Sequence, residues 1–261
     1  MRISRYVPAG LLLALLAPLG AAHASSISIS YYTIAESDRD ANTMCCATIN
    51  NEVENSLGAN GLPVLNPLAN GGKLLPKDIL ADDEITYWSP ALNNGGPGGT
   101  SDVTYTGSAV VPLPFDQSSN FFPPNGTGLS DSNGFQAAVL SGWLDAPITE
   151  QVSFNIGADD MAFAYLNGQL VCDLGGVHPI TNGTCVSPFD VSAGTSFLQV
   201  FFVDINNVQS GLTFGVQTAG VTITNVPEPG SLALFGAGLL GVLVLFMRRR
   251  RLADAASSRK Q

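Results

Sequence analysis

The final 36 residues constrain this chain more than any other stretch. Val226-Pro227-Glu228-Pro229 comes first and is an extended stop, because each proline sets its own φ and disfavours helix in the residue before it. Residues 230–247 follow, 18 residues without a charge. At about 1.5 Å per residue a helix of that length spans roughly 27 Å, enough for a hydrocarbon core. Arg248, Arg249, Arg250 and Arg251 then form a block that stays cytoplasmic under the positive-inside rule. Whatever precedes Val226 is expected to fold outside the cytoplasm, tethered at its C-terminal end.

The other end agrees. Arg2 and Arg5 form a basic region, residues 11–19 an apolar one, and Ala22-His23-Ala24 a small-x-small cleavage site before Ser25. That order reads as a secretory signal peptide. Between the two targeting segments lie about 200 residues, one domain of ordinary size. Residues 25–226 hold three basic side chains (Arg39, Lys73, Lys77) against 19 acidic ones, a net charge of about −16 compared with −10 for the whole chain. Nucleic acid and anionic membrane surfaces are therefore excluded as expected partners, since phosphate contact needs a basic face. Cations, neutral sugars and other envelope components remain.

Polar/apolar alternation over 26–34 opens a series of short strands, expected again at 102–112, 135–144, 150–157, 161–166, 169–173, 197–204, 211–217 and 220–224. Asn167-Gly168 marks a hairpin. A short helix is expected within 41–57. Residues 58–100 read as loop, ending in Asn93-Asn94-Gly95-Gly96-Pro97-Gly98-Gly99. Short strands at this spacing predict an all-β fold, an antiparallel β-sandwich. Asn125-Gly126-Thr127 and Asn182-Gly183-Thr184 read as turns.

Four cysteines in an exported chain predict disulfides. Three complete pairings are open. The 12-residue spacer between Cys172 and Cys185, rich in glycine and holding a proline, favours a bridge there. Cys45 and Cys46 are adjacent, and their pairing stays open. Catalysis is not expected. Outside the signal peptide the chain has a single histidine, His178, its cysteines are disulfide-prone, and no serine sits in a nucleophile-elbow context. Adjacent aspartates also cannot flank a glycosidic bond.

The C-terminal order of pieces resembles the PEP-CTERM sorting signal of Gram-negative bacteria, on Pro227-Glu228-Pro229, the apolar run and the arginine cluster. The resemblance implies cleavage near Pro-Glu-Pro by an exosortase, a membrane-embedded transpeptidase-like enzyme, with passage from the inner membrane to the cell surface or extracellular matrix. An ordinary single-pass anchor is the alternative, but it needs no Pro-Glu-Pro. The expected divisions are 1–24 signal peptide, 25–225 exported β-sandwich, 226–252 sorting signal and 253–261 cytoplasmic tail.

Within the exported part, Gly142-Trp143-Leu144-Asp145-Ala146-Pro147, Phe154 running to Asp159-Asp160, Tyr165-Leu166-Asn167-Gly168 and Asp173-Leu174-Gly175-Gly176-Val177-His178 resemble the fibro-slime domain. That domain is a relative of the protective-antigen-type (PA14) sandwich of yeast flocculins and epithelial adhesins. The likeness is clearest over 135–218. It implies a lectin-like site in which Asp159 and Asp160 bind Ca²⁺ together with Asn206 or Asn207 from the loop after the matching strand. Sugar hydroxyls, from exopolysaccharide or other glycans, would complete the shell. In a trans strand neighbouring side chains point to opposite faces. A cis Asp159–Asp160 bond would shorten the Cα separation to about 2.9 Å and aim both carboxylates at one point. The alternative is a purely structural envelope or biofilm-matrix protein, with Asp159-Asp160 a solvated turn. Asp173 and His178 are expected to order the hairpin loop. Asp38, Asp40 and Asn42 carry the alternating oxygen spacing of an EF-hand opening. Thr43 and Ile49 stand where that motif needs Gly and Glu, so the stretch reads as a surface loop. Asp82-Asp83-Glu84 reads as a solvated acidic turn or a helix start.

Replacing Pro227, Glu228 and Pro229 with alanine is expected to leave uncleaved chain in the inner membrane, read by mobility and fractionation. Unchanged cleavage and location would count against the sorting reading.

Overall fold

Ile27, Ile29 and Tyr31 are buried while the serines between them are not, and that alternation makes β1 (Ser26–Ile34) a strand with one face toward a core. The computed structural model describes residues 25–118, 135–207 and 209–226. Eleven further strands follow: β2 (Ala47–Ile49), β3 (Val103–Pro112), β4 (Phe115–Gln117), β5 (Gln136–Ala146), β6 (Ser153–Asp159), β7 (Met161–Leu166), β8 (Gln169–Val177), β9 (Thr181–Val186), β10 (Gly194–Asp204), β11 (Gly211–Val216) and β12 (Thr222–Asn225). They form two antiparallel sheets. The larger runs β2-β8-β7-β10-β5-β1-β3, with β12 also on β5, and the smaller runs β4-β11-β6-β9. The chain is thus an all-β antiparallel sandwich, as its strand pattern predicts.

β10 is the spine of the larger sheet, pairing with β5 from Gly194↔Ala146 to Asp204↔Gln136 and with β7 from Leu198↔Leu166 to Val203↔Met161. One of its faces, with Leu198, Val200 and Phe202, meets Phe154, Ile156, Leu212 and Phe214 of the smaller sheet. The opposite face, with Phe201 and Val203, joins Phe163 and Tyr165 under a second core built from Met44, Val53, Leu65, Ile85, Tyr87 and Trp88. Every residue of β7 is buried for that reason. Residues 35–102, read from sequence largely as loop, are therefore a covering layer. It has two 3₁₀ turns and is held by isolated bridges such as Val53↔Leu65 and Ile79↔Ile85.

Several expectations need correction. The helix within 41–57 is not formed: the stretch contains turns and β2, and its apolar residues Met44, Ile49 and Val53 face the sheet without helical period. Asn182-Gly183-Thr184 is not a turn but lies in β9. There the Asn182 side chain covers Gly157 and accepts a 2.9 Å hydrogen bond from Thr213 Oγ1. Glu84 is not solvated: it is buried and accepts from Asn60 N at 2.8 Å. Asn167-Gly168 does form the β7–β8 hairpin, with φ of 49° and 77°, the positive values its two-residue turn requires. Residues 1–24 and Asn125-Gly126-Thr127 lie outside the described residues. No helix among those described is long and apolar enough to cross a membrane, and 230–247 falls outside them.

The two ends of the sandwich meet. β12 takes the edge of β5 just beyond the point where β1 leaves it, Asn225↔Gly142 following Ser28↔Ser141. Ser28 Oγ donates to Val226 O at 3.2 Å, and Ile223 N donates to Ser25 Oγ at 3.3 Å. The last described residue, Val226, thus follows directly on a strand paired in the larger sheet.

Cys172 of β8 and Cys185 of β9 form a disulfide that joins the larger sheet to the smaller one. Cys45 and Cys46 pair with each other. Reduction, or the double change Cys172→Ala with Cys185→Ala, is expected to cost about 3 kcal/mol by the loop-entropy relation. That corresponds to a fall in Tm of roughly 6–12 °C at about 2–4 °C per kcal/mol. A fall under 2 °C in calorimetry would contradict the stapling role.

Candidate functional site

Three places where the chain crosses from one sheet to the other converge at one end of the sandwich. They are β6 to β7 through Asp159-Asp160, β8 to β9 through His178-Pro179, and β10 to β11 through the residues after Asp204. The covering layer adds Cys45 and Cys46 from the loop before β2. Together Cys45, Cys46, Asp159, Asp160, Val177, His178, Pro179, Asn206 and Gln209 line a pocket of about 160 Å³. Crossovers collect functional groups because their backbone is released from the ladder while rigid strands hold both ends.

The Asp159–Asp160 peptide bond is cis, and both residues line the pocket. Asp160 is 2% exposed; its Oδ2 accepts from Ile205 N at 3.0 Å and Asn206 N at 3.1 Å. Asp204, the last residue of β10, is wholly buried beside it and accepts from Asn206 N at 3.2 Å, while its Oδ2 has no hydrogen-bond partner. Asn206 donates its amide nitrogen to Met44 O at 3.4 Å, which leaves the amide oxygen uncommitted by that bond. Asn207 is exposed and does not line the pocket. Its backbone N–H donates to Asn42 Oδ1 at 2.9 Å and so ties the two loops together.

The pocket wall sets Asp159 and Asp160 beside one histidine, His178. The ion pairs among the described residues, Arg39–Asp78 and Lys77–Asp40, both lie elsewhere. Burial pushes the Asp160 carboxyl up, the neighbouring Asp159 charge adds to this, and the two N–H bonds oppose it. Burial likewise raises Asp204, with the Asp160 charge as the next cause. Behind them Glu52 is buried under β8, accepting from Gly176 N. Burial, with smaller contributions from the Asp173 and Asp160 charges, pushes it up to about 8. Asp173 is pushed up to about 6 by burial and accepts from Val53 N at 3.2 Å. Asp173 therefore ties β8 to the covering layer. Uncompensated buried carboxylates of this kind are stabilised by protons or by metal cations.

Sequence reasoning did not place Cys45, Cys46, His178 or Gln209 in this pocket. The adjacency of the cysteines was visible, but nothing in it tells which part of the sheet they reach. His178 has its Nδ1 3.0 Å from Pro179 O and its Nε2 without a partner, so it belongs to the pocket wall. Val226 closes the described chain; Pro227, Glu228, Pro229 and Arg248, Arg249, Arg250 and Arg251 lie outside it.

Comparison with known proteins gives two kinds of likeness. Residues 225–251 match the PEP-CTERM protein-sorting motif, so the chain carries that signal and is a sorted, exported precursor. Among solved structures it resembles the Epithelial Adhesin 9 A domain from Candida glabrata in complex with Galb1-3GlcNAc. That match has 13% identity, covers 77% of this chain and 85% of the other, and has a TM-score of 0.37. It also resembles the PA14 domain of the antifreeze protein MpAFP, with 14% identity, 78% and 92% coverage and a TM-score of 0.33. A third likeness is to the PA14 sugar-binding domain from an RTX adhesin, with 21% identity over 34% of this chain and a TM-score of 0.28; the match spans half (50%) of that chain. TM-scores of this size carry no functional inference. No curated protein matches in sequence.

The raised carboxyls have a measurable consequence. A group whose folded pKa lies above its unfolded value contributes stability that is complete below the unfolded pKa and lost as pH rises through the folded one. For Glu52 that window runs from its ordinary 4.5 to about 8. In chelator the chain is therefore expected to melt at a progressively lower temperature from pH 4.5 to pH 8. Glu52→Gln should flatten part of that slope. A Tm that rises across this window would refute the assignment.

Proposed function

We propose that the exported domain is a calcium-dependent, sugar-binding module that the sorting signal delivers to the cell surface or extracellular matrix. The observation that supports this reading is the meeting of Asp159, Asp160 and Asn206, three oxygen-bearing residues, in the wall of one pocket. Ca²⁺ favours carboxylate and amide oxygens at 2.3–2.6 Å and tolerates irregular geometry. The N–H groups of Ile205 and Asn206 hold Asp160 in place, so the ion would meet a pre-positioned ligand. Asn206 would add its amide oxygen, and Asn207 would act through the loop it ties rather than as a ligand.

A bound ion with open coordination positions takes hydroxyl oxygens in place of water, which is how neutral sugars gain affinity for an acidic site. The paired Cys45–Cys46 with Val177 and Pro179 supplies an apolar wall against which a sugar's C–H face packs. Binding is favoured over catalysis because Asp160 is committed to backbone donors and the pocket cysteines are bonded to each other. Before processing, the same reading places the chain in the inner membrane as an exosortase substrate with its C-terminus cytoplasmic.

With the purified full chain in detergent, Ca²⁺ at about 100 times its Kd is expected to stabilise by about 2.7 kcal/mol. That is a rise in Tm of roughly 5–11 °C. Asp159→Asn with Asp160→Asn should remove the part of the rise that belongs to this pocket, and with it any calcium-dependent heat on titration with a panel of mono- and disaccharides. Calcium binding without any sugar response would leave a structural matrix protein with a metal-stabilised fold. A rise untouched by the double change would move the ion elsewhere.

A further inference from the structure

A second group of carboxylates lies in the covering layer. Asp38 and Asp40 come from the loop after β1, and Asp78 from the layer itself; all three are buried. Each offers an oxygen within 4.8 Å of the others. Oxygens held at 2.3–2.6 Å on opposite sides of one Ca²⁺ are about 4.6–5.2 Å apart, so a single ion can reach all three.

The hydrogen bonds around the cluster are incomplete. Asp40 Oδ2 is saturated, accepting from Lys77 N at 2.7 Å, Asp78 N at 2.9 Å and Tyr87 OH at 2.9 Å. Asp40 Oδ1, on a residue with no exposed surface, has no hydrogen bond; the nearest cation is Lys77 Nζ at 3.9 Å, on a side chain 59% exposed. Asp38 Oδ1 accepts from Asp40 N at 2.6 Å, while Asp38 Oδ2 is buried without a partner. Asp78 is bonded by Arg39 Nε and by Asn93 Nδ2, the latter at 2.8 Å. Both carboxylate oxygens of neighbouring Asp102 are also buried and unpartnered. Four carboxylates thus face one guanidinium and one half-exposed ammonium, which leaves two negative charges uncompensated. Buried carboxylate oxygens without donors are costly, and one dication meets both deficits.

We propose that Asp38, Asp40 and Asp78 hold one divalent cation of the calcium class, distinct from the pocket at Asp159 and Asp160, and that this ion fixes the loop that walls the pocket. The loop is the link. Asn42 N donates to Ile205 O at 2.9 Å and Met44 O accepts from Asn206 Nδ2 at 3.4 Å, after which the chain reaches Cys45–Cys46. Holding Asp38 and Asp40 against Asp78 therefore holds the vicinal disulfide against the residues that follow β10.

The test uses the full chain in detergent carrying Asp159→Asn and Asp160→Asn, so that the pocket is silent and the outcome does not depend on it. Terbium(III) replaces Ca²⁺, with excitation through Tyr87, whose hydroxyl bonds Asp40, and Trp88, which packs edge-on against Tyr87. Sensitised emission is expected to rise several-fold, saturate at one ion per chain and be displaced by Ca²⁺. Adding Asp38→Asn or Asp40→Asn should abolish it. No saturable emission, or emission unchanged by both changes, overturns the proposal. Should the variants not fold, hydrogen exchange of the unmutated chain decides. The amides of Asp40, Lys77 and Asp78 are expected to exchange at least tenfold more slowly in Ca²⁺ than in EGTA, and equal rates overturn the proposal.

Discussion

The larger sheet is apolar on both faces, and the rest of the domain is arranged to keep water from the second one. The smaller sheet covers the face of Leu198, Val200 and Phe202. Nothing regular covers the other face; residues 35–102 do so with turns, bridges and buried side chains. Trp88 shows how an irregular layer can adhere. Its Nε1 donates to Phe202 O at 2.7 Å while its ring meets Phe163 and Phe201 edge-on. The indole thereby buries a large apolar area without orphaning its N–H.

An irregular cover has few ladder hydrogen bonds, so its backbone donors need side-chain acceptors. In this chain those acceptors are carboxylates: Asp40 for Lys77 and Asp78, Glu84 for Asn60, Asp173 for Val53, Glu52 for Gly176. This explains why so acidic a domain buries part of its charge, at Asp40, Glu52 and Glu84 among others. Only three basic side chains stand against these groups over residues 25–226. The balance must come from protons or from cations of the medium.

Much of the architecture was legible beforehand because period-two alternation and Asn-Gly turns report local backbone geometry. Residues 26–34 and 161–166 are strands to the residue, and the Asn167-Gly168 hairpin forms as written. β9 was missed because Asn182-Gly183 carries a turn signature that pairing with β6 overrides, Ile156 lying opposite Gly183. The helix within 41–57 was over-read for a related reason. Its apolar residues follow the shape of the sheet beneath them, and that surface is made by strands more than 100 residues away. In the pocket, Asp159, Asp160 and the loop after Asp204 were named from a family resemblance, which their local pattern alone would not have supplied. The Cys45–Cys46 wall and His178 could not be named, because their position depends on how the cover sits on the sheet.

The sequence by itself determined the chain's route and its grammar of strands. Both rest on local properties: charge, apolar length, proline geometry and side-chain alternation act within a few residues of themselves. The tertiary structure alone decided which carboxylates became buried and which loops share a pocket. Asp38 and Asp40 read as surface residues until a layer folds over them, and Asn206 and Asn207 are equivalent until one turns inward and the other toward Asn42. Burial and convergence are properties of distant segments meeting, and no local pattern encodes where they meet.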